Sequence, residues 1–439
     1  MKNRKYNIID LVKRLFPYGY SVVGSENDKA IQAFQNELPF RIYKYRSGME
    51  LNGWIIPNGF KVIKAMIRKD NIMIYDATDS PLGVPVLSDS YTGSMTLDEL
   101  KPHLFSAEKD GAIPYHWSNL YRTNQKEWGF CIPRVIKDKL TPGVYDINLE
   151  TVEYISEMKV MVYSLPGKTE KTIILNAHNC HPFQANDDIS GVAVGIEVMR
   201  LLRTIPDRRY TYKLMVAPEL FGPMFWLDEL DKSESSKIIG GIMLKSLGND
   251  NNLKLQEGFT GKSPLDNMAH YVFKENYNDY ESGLFRTIYG NDETVFESPP
   301  YLIPSISITR WPFPEYHTDY DTPEKLSENC LQESIDVVFQ ICKGLECNRI
   351  YKVNFSGLVC LSKYNLYKSV PVVGNSGVDY SSLPGRWNQL MNGLPSCLDG
   401  KTDLLSISQK YNLPLHEVAE YLKEWELNLL VKDVSDLSS

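Results

Sequence analysis

Residues 172–195 of the chain read TIILNAHNCHPFQANDDISGVAVG. The β-branched run at 172–175 predicts a buried strand, and the apolar residues that begin at Ser190–Gly191 predict a helix. Between them lies a polar loop whose chemically versatile side chains are His178, Cys180, His181, Asp187 and Asp188. In open α/β sheets, the loops at the carboxyl ends of strands hold ligands. The stretch therefore predicts an α/β domain with a functional site at the end of this strand.

Strands and helices alternate on both sides of this stretch, from about residue 150 to 350. The predicted strands are MKVMVYSLPG (158–167), KTIILNAH (171–178), YKLMVAPE (212–219) and IIGGIMLKSLG (238–248). The predicted helices are SGVAVGIEVMRLLRTI (190–205) and GPMFWLDELDK (222–232). This rhythm predicts helices packed on a largely parallel sheet.

The remaining regions have a different character. Residues 6–37 show helical periodicity with a break at Gly24–Ser25. Short β-branched and aromatic runs separated by turns indicate a β-rich unit over 50–148. The last 80 residues show the helix–turn–helix and short β outline of a winged helix. We predict a discontinuous α/β domain (1–50 plus 141–350), an inserted β-rich domain (51–140) that shapes the mouth of the site, and a winged-helix-like domain (355–439).

The composition and charge of the 439-residue chain exclude some functional classes. With 43% hydrophobic and 23% charged residues, an intrinsically disordered chain is excluded. The net charge of −8 opposes binding to a phosphate backbone. From residue 398 onward, four lysines stand against eight acids, so the winged-helix outline does not indicate DNA binding. We therefore expect no nucleic-acid partner.

The distribution of cysteines and of apolar residues indicates the cellular compartment in which the protein is expected. The seven cysteines are scattered without a CxxC pair, which argues against a disulfide framework or a zinc ribbon and favours a reducing compartment. No run of about 18 apolar residues occurs, so we expect no membrane-spanning helix and no membrane partner. We predict a cytoplasmic protein. Homo-oligomers are common among soluble proteins, and the sequence leaves the oligomeric state open.

Three further segments carry candidate functional residues. WPFPEYHTDYDTPEKLS (311–327) places His317 among acidic residues that could orient a metal-bound imidazole. In VAPELFGP (216–223), Glu219 follows a predicted strand, and in GNDETVF (290–296), Asp292 and Glu293 lie in a turn. Each has a simpler explanation as a solvated acidic loop or a turn residue. Likewise, Asp187 and Asp188 could be helix caps, and His178 and Cys180 could be packed core residues.

The order of these elements resembles that of the zinc aminopeptidases of the M28 type. Closer still is a bacterial branch of aminopeptidase-like proteins with an inserted β-rich domain and a C-terminal winged helix. Its signature elements read here CHP (180–182), ANDD (185–188), GNDE (290–293) and EYHT (315–318). The resemblance covers nearly the whole chain. It implies a three-layer zinc-peptidase-like (phosphorylase/hydrolase-like) fold, in which a mixed sheet carries helices on both faces.

The resemblance also implies roles for individual residues. Asp187 matches the bridging metal carboxylate and His317 matches the C-terminal metal histidine. His181 matches the histidine of the CHP element, whereas His178 matches the strand-end histidine of the wider family. We favour His181 as the ligand and keep His178 as the second candidate. Asp292 resembles the aspartate of a turn that faces the site.

Two departures from the wider family leave roles open. The family has two successive glutamates at the third strand, whereas this chain has Pro218-Glu219. Either Glu219 binds metal and Glu293 is the general base, or Glu219 is itself the base. The family's further metal aspartate has no clear match, because IMLKSLGND offers only Asp250. The site could therefore hold one or two Zn²⁺ ions.

These observations predict a zinc-dependent hydrolase, in which His181, Asp187, Glu219 and His317 hold the metal. The expected substrate is a peptide, and the expected reaction is removal of its N-terminal residue by a zinc-activated water. A surplus acid such as Asp188, Asp292 or Glu293 would bind the substrate ammonium group. Two alternatives stay open: an amidase or deacylase for a sugar-derived substrate, and a non-catalytic zinc-binding scaffold.

Overall fold

The computed structural model describes residues 7–122, 124–369 and 378–435. It divides into two compact units, Met1–Val338 and Phe339–Ser439. The helices of the first unit are α1 Ile8–Leu15, α2 Glu26–Glu37, α3 Leu97–Leu100, α4 Arg134–Lys137, α5 Ser190–Arg203, α6 Phe221–Glu229, α7 Lys232–Ser235, α8 Pro264–Asn276, α9 Glu293–Phe296 and, running past the boundary, α10 Glu328–Cys347. Its strands are β1 Arg41–Arg46, β2 Glu50–Leu51, β3 Trp54–Ile55, β4 Gly59–Lys69, β5 Ile72–Asp76, β6 Tyr91–Thr96, β7 Leu104–Phe105, β8 Phe130–Cys131, β9 Val144–Tyr154, β10 Glu157–Leu165, β11 Thr172–His178, β12 Thr211–Ala217, β13 Ile238–Lys245, β14 Lys254–Gln256, β15 Ser282–Gly283 and β16 Ser305–Thr309.

The main sheet has, among the described residues, the strand order β1-β10-β12-β11-β13-β16-β14-β15. Its centre, β12-β11-β13-β16, is parallel, while β10 pairs antiparallel with both β1 and β12 and β14 pairs antiparallel with β16. The sheet is therefore mixed. All seven residues of β11 are buried, as expected for a central strand covered on both faces.

Helices cover both faces of this sheet. Successive residues of a strand point to opposite faces, and Leu214 and Met215 of β12 show which helix lies on each. A Cβ atom on Gly195 of α5 would lie 2.6 Å from the Leu214 side chain. Met215 instead packs in a cluster with Phe225 and Trp226 of α6. The three-layer arrangement expected from the sequence is thus confirmed.

The parallel centre brings several strand ends to one edge. In the β11–β12 register, His178 pairs with Ala217, two residues before Glu219. In the β13–β16 register, the last residue of β13, Lys245, pairs with Thr309. The carboxyl ends of β11, β12 and β13 therefore meet at the same edge, where the sequence places its candidate residues.

The β-rich region forms a separate antiparallel sheet in the order β5-β4-β9-β6. Its core packs around Ile67, Tyr145, Ile147 and Leu149. A loop of this region reaches the segment that follows β16, where Pro114 forms an isolated antiparallel bridge with Thr318. This contact places part of the β-rich region beside the EYHT segment.

The second unit contains β17 Ile350–Val353, α11 Leu383–Cys397, β18 Asp399–Asp403, α12 Leu404–Tyr411, α13 Leu415–Leu427 and β19 Val431–Asp433. Its strands form an antiparallel sheet in the order β18-β17-β19. The helix–turn–helix and the β pieces expected from the sequence are present, whereas the winged-helix classification and the predicted domain boundaries stay predictions. Over residues 7–122, 124–369 and 378–435, no helix is both long enough and apolar enough to cross a bilayer.

Candidate metal centre

Three side chains distant in sequence converge at the carboxyl edge of the main sheet. The Asp187 Oδ2 atom lies 3.5 Å from His181 Nε2 and 3.5 Å from His317 Nε2. The three candidate ligand atoms lie within 4.8 Å of one another. Donor atoms about 2.0–2.1 Å from a tetrahedral zinc ion are about 3.4 Å apart, so this spacing matches that of a shared metal ion.

The hydrogen bonds of these residues leave the converging atoms available. His181 Nδ1 lies 2.9 Å from the Pro182 carbonyl oxygen, to which it can only donate, so Nε2 keeps its lone pair. Among the described residues, neither His181 Nε2 nor Asp187 Oδ2 has a hydrogen-bond partner, although both are buried. Buried polar atoms are normally satisfied. These residues therefore fit a metal ion.

Burial and neighbouring charges set the ionisation of the centre. Burial by itself would raise the pKa of Asp187, but the Lys245 ammonium and the His178 hydrogen bond hold that pKa well below its usual range. Burial, together with the neighbouring His181, lowers the pKa of His317 far below its ordinary value. A carboxylate and a neutral imidazole are the forms that bind zinc.

Two further acids hold the backbone around Asp187. Asp321 accepts hydrogen bonds from the Asn186 and Asp187 N–H groups at 2.7 and 3.0 Å. Asp188 accepts three N–H bonds at 3.2 Å, from His178, Gly191 and Ser246. Asp188 thus links β11, α5 and the end of β13, and its carboxylate is fully buried. Because these N–H groups use its oxygens, Asp188 holds the loop in place and does not face a substrate.

The β-rich region supplies the other wall of the centre. The Tyr115 N–H donates to the His317 carbonyl oxygen at 2.7 Å, and His317 has a left-handed backbone conformation with φ of 53°. The Tyr115 ring stacks on His181 at 4.5 Å between centroids, and the Tyr316 ring stacks on His317 at 3.8 Å. The predicted role of this region at the mouth of the site is consistent with these contacts.

A buried lysine occupies the opposite side of Asp187. Lys245 Nζ contacts Asp187 Oδ1 and lies 2.8 Å from His178 Nε2, while His178 Nε2 is 3.0 Å from the same oxygen. Burial would lower the pKa of Lys245, but the Asp187 carboxylate holds that pKa well above its usual value. Burial and the nearby ammonium lower the pKa of His178. His178 therefore belongs to the Lys245 side rather than to the His181–His317 side.

Glu219 lies beside the converging atoms. Its carboxylate forms an adjoining group with His178 and Cys180, whose candidate atoms also lie within 4.8 Å of one another. Glu219 is partly exposed and lines the cleft, so it is accessible to a substrate. Of the four predicted ligands, the structure brings His181, Asp187 and His317 into one group and places Glu219 in the neighbouring one.

The two acids of the GNDE turn lie in buried positions. Asp292 accepts from the Leu220 N–H and from Asn176 Nδ2, both at 2.6 Å, and so anchors the turn that carries Glu219. Burial raises the pKa of Asp292 to about 6. Glu293 accepts from the Asn291 N–H at 2.9 Å, and burial raises its pKa to about 7.

Asp250, the sequence candidate for a further metal aspartate, is exposed and lies near Cys330 Sγ at 3.8 Å. Within the described ranges, it belongs to neither group of candidate metal ligands.

A cleft of about 540 Å³ opens onto the centre. Glu219, His181 and His317 line its floor, and Arg286 contributes a cationic group. Its aromatic walls are formed by Trp54, Tyr115, Trp117, Tyr121, Tyr289 and Tyr316. Apolar walls with a few placed polar groups are typical of a small-molecule site.

Comparison with known proteins agrees with the fold. The three-layer fold is that of the M28-type peptidases. The chain belongs to the family described as "Domain of unknown function (DUF4910)", whose model matches residues 9–348. A curated relative from Clostridium acetobutylicum, named "Putative polysaccharide biosynthesis protein with aminopeptidase-like domain", is 27% identical over 434 residues, covering 97% of this chain and 96% of that protein.

Solved structures of similar fold include a "putative peptidase" from Clostridium acetobutylicum, with a TM-score of 0.79, 24% identity, and coverage of 97% of this chain and 96% of that one. A zinc aminopeptidase from Bacillus subtilis has a TM-score of 0.56 at 14% identity, covering 76% of this chain and 93% of its own. A peptidase M28 precursor from Shewanella amazonensis has a TM-score of 0.53 at 15% identity, covering 77% and 92%.

Sequence reasoning missed three residues of the site. Lys245 ends an apolar strand, and no motif or pattern in the sequence marked it as a site residue. Tyr115 and Arg286 come from irregular segments with no periodic pattern, and the sequence offered no signal for either.

Proposed function

We propose that this protein is a zinc-dependent amide hydrolase with aminopeptidase activity. The observation that carries the proposal is the convergence of His181 Nε2, Asp187 Oδ2 and His317 Nε2, of which the first two are buried without a partner among the described residues. Zinc held by three protein ligands acidifies a water molecule and polarises a carbonyl group.

In this proposal, Glu219 is the general base. Its carboxylate lines the cleft next to the three ligands, and Asp292 fixes its turn through the Leu220 N–H. Glu219 would accept the proton of the attacking water and pass it to the leaving amine. Glu293 is the second candidate base, because burial raises its pKa to about 7, near the value that suits proton transfer.

A sugar-derived amide is a second candidate substrate. The aromatic side chains of Trp54, Trp117 and Tyr121 on the cleft wall offer flat apolar faces on which a sugar ring can pack. The printed name of the Clostridium acetobutylicum relative refers to polysaccharide biosynthesis. In this variant of the proposal, the same centre hydrolyses an N-acyl bond.

A substrate panel tests both forms of the proposal. The purified protein, loaded with zinc, is assayed against aminoacyl p-nitroanilides, dipeptides and N-acyl amino sugars, with His317→Ala and the exposed His416→Ala as a matched pair. We expect turnover of one class that His317→Ala abolishes and His416→Ala retains. Turnover of N-acyl sugars alone would select the sugar amidase. Zinc binding without turnover of any class would contradict the hydrolase and favour a non-catalytic scaffold.

A further inference from the structure

The two oxygens of the Asp187 carboxylate have different surroundings. Oδ2 faces two imidazole nitrogens, those of His181 and His317, at 3.5 Å each. Oδ1 faces His178 Nε2 and the Lys245 ammonium. One oxygen of the carboxylate therefore faces two imidazole nitrogens, whereas the other already contacts a cationic group of the chain.

The ammonium occupies the space that a second ion would need. An ion bound on this side would take Asp187 Oδ1 and His178 Nε2 as ligands, with Cys180 and Glu219, which form a candidate ligand group with His178, as further donors. Lys245 Nζ already contacts Asp187 Oδ1 and His178 Nε2. A divalent ion bound to the same atoms would lie within contact distance of a like charge at a buried position, where repulsion is poorly screened.

Lys245 is also held in place. Its side chain is buried, and its Nζ lies 4.7 Å from the centre of the Tyr289 ring. Its backbone is the last residue of β13, between β11 and β16 in the centre of the sheet. A buried ammonium that lost its carboxylate partner would pay a large desolvation cost, so the side chain does not readily move aside for an incoming ion.

We propose that the Lys245 ammonium permanently replaces a second metal ion, so that the protein binds a single zinc ion through His181, Asp187 and His317. This inference rests on the proposed function, because it concerns the same centre. Lys245 acts as a positioning residue: it holds Oδ1, and thereby turns Oδ2 toward the two imidazoles. The fixed charge also supplies, without a second ion, part of the positive field beside the cleft.

Metal stoichiometry tests the inference without depending on activity. Zinc-saturated wild type, Lys245→Asp and the exposed control Lys262→Asp are measured by elemental analysis after removal of free metal. We expect one zinc per chain for the wild type and the control. Lys245→Asp should bind two, because it replaces the ammonium with a third ligand beside Asp187 Oδ1 and His178.

The outcomes separate this inference from the proposed function. Two ions in the wild type would overturn the inference and leave the zinc hydrolase intact, whereas no ion would overturn the zinc centre itself. One ion in a Lys245→Asp variant that melts cooperatively would also overturn the inference. If Lys245→Asp does not fold, Lys245→Met provides the second test: it should keep one ion with zinc affinity reduced about 10–100-fold, and unchanged affinity would contradict the positioning role.

Discussion

The loop after β11 and the end of β13 are neighbours at one edge of the sheet, but they stabilise the same buried carboxylate differently. The β11 loop, with the EYHT segment, presents His181 and His317 to Asp187 Oδ2. The end of β13 presents Lys245 to Oδ1. The difference teaches that one oxygen of a buried carboxylate can be paired with a charge built into the chain, while the other oxygen faces neutral nitrogens that would suit the proposed metal ion.

The largest expected effect comes from removing a ligand on the Oδ2 side of Asp187. His317→Ala leaves two protein ligands, so zinc should fall below about a tenth of an equivalent and turnover by at least about 1,000-fold. Elemental analysis and initial rates check this, with His416→Ala as the control. Full zinc content in His317→Ala would contradict a role of His317, and of the EYHT segment that carries it, in binding the metal.

Glu219→Gln tests the base without touching the three ligands. We expect kcat to fall by about 100- to 10,000-fold, the usual contribution of a general base, while zinc content stays at one equivalent. Rates and elemental analysis on the same sample check it. Loss of zinc in this variant would instead make Glu219 a fourth ligand. An equal loss of kcat in Glu293→Gln, with Glu219→Gln active, would transfer the role of base to Glu293.

Asp321→Asn tests how far the loop geometry depends on its backbone anchor. The amide can accept from only one of the two N–H groups that the carboxylate holds, so Asp187 loses part of its support. The zinc dissociation constant should rise about 10- to 100-fold, as for other supports of metal ligands. Competition with a chelator measures it, with the exposed Asp250→Asn as the control. If Asp250→Asn raised the zinc dissociation constant as much as Asp321→Asn, Asp250 would have to contribute to metal binding, which would contradict this account.

Glu293 gives the smallest effect, on stability rather than on metal binding. Burial raises the pKa of Glu293 in the folded protein to about 7, so its folded form prefers the proton. The contribution of Glu293 to the free energy of unfolding is fully present below its unfolded pKa near 4.5 and is lost as the pH rises through 7. Glu293→Gln should therefore melt about 2–4 °C above the wild type at pH 8 and level with it near pH 4.5. Equal melting temperatures at pH 8 would contradict this assignment.

Much of the fold could be predicted from the sequence, because hydrophobic periodicity and turn residues are local signals of secondary structure. The strand predicted at 171–178 is β11 at Thr172–His178, and the helix predicted at 190–205 is α5 at Ser190–Arg203. The antiparallel pairing of β10 beside a parallel core could not be predicted, since strand order depends on contacts between distant segments.

The candidate site, like the fold, was predictable where local motifs marked its residues and unpredictable where it depends on contacts between distant segments. His181, Asp187 and His317 carried motif signals and are brought together, whereas Lys245 carried none of its own. A lysine at a strand end is normally solvated, and its burial here depends on Asp187 and His178, which come from another segment. Tyr115 enters the site only through the packing of the β-rich region on the EYHT segment. The predicted domain boundaries and the winged helix stay predictions.

The most direct test of the central claim is the position of metal in crystals, measured by anomalous scattering at the zinc edge. We predict a single peak about 2.1 Å from each of His181 Nε2, Asp187 Oδ2 and His317 Nε2, with no peak beside His178. A peak coordinated by His178, or zinc-saturated crystals without a peak at the three atoms, would contradict the account.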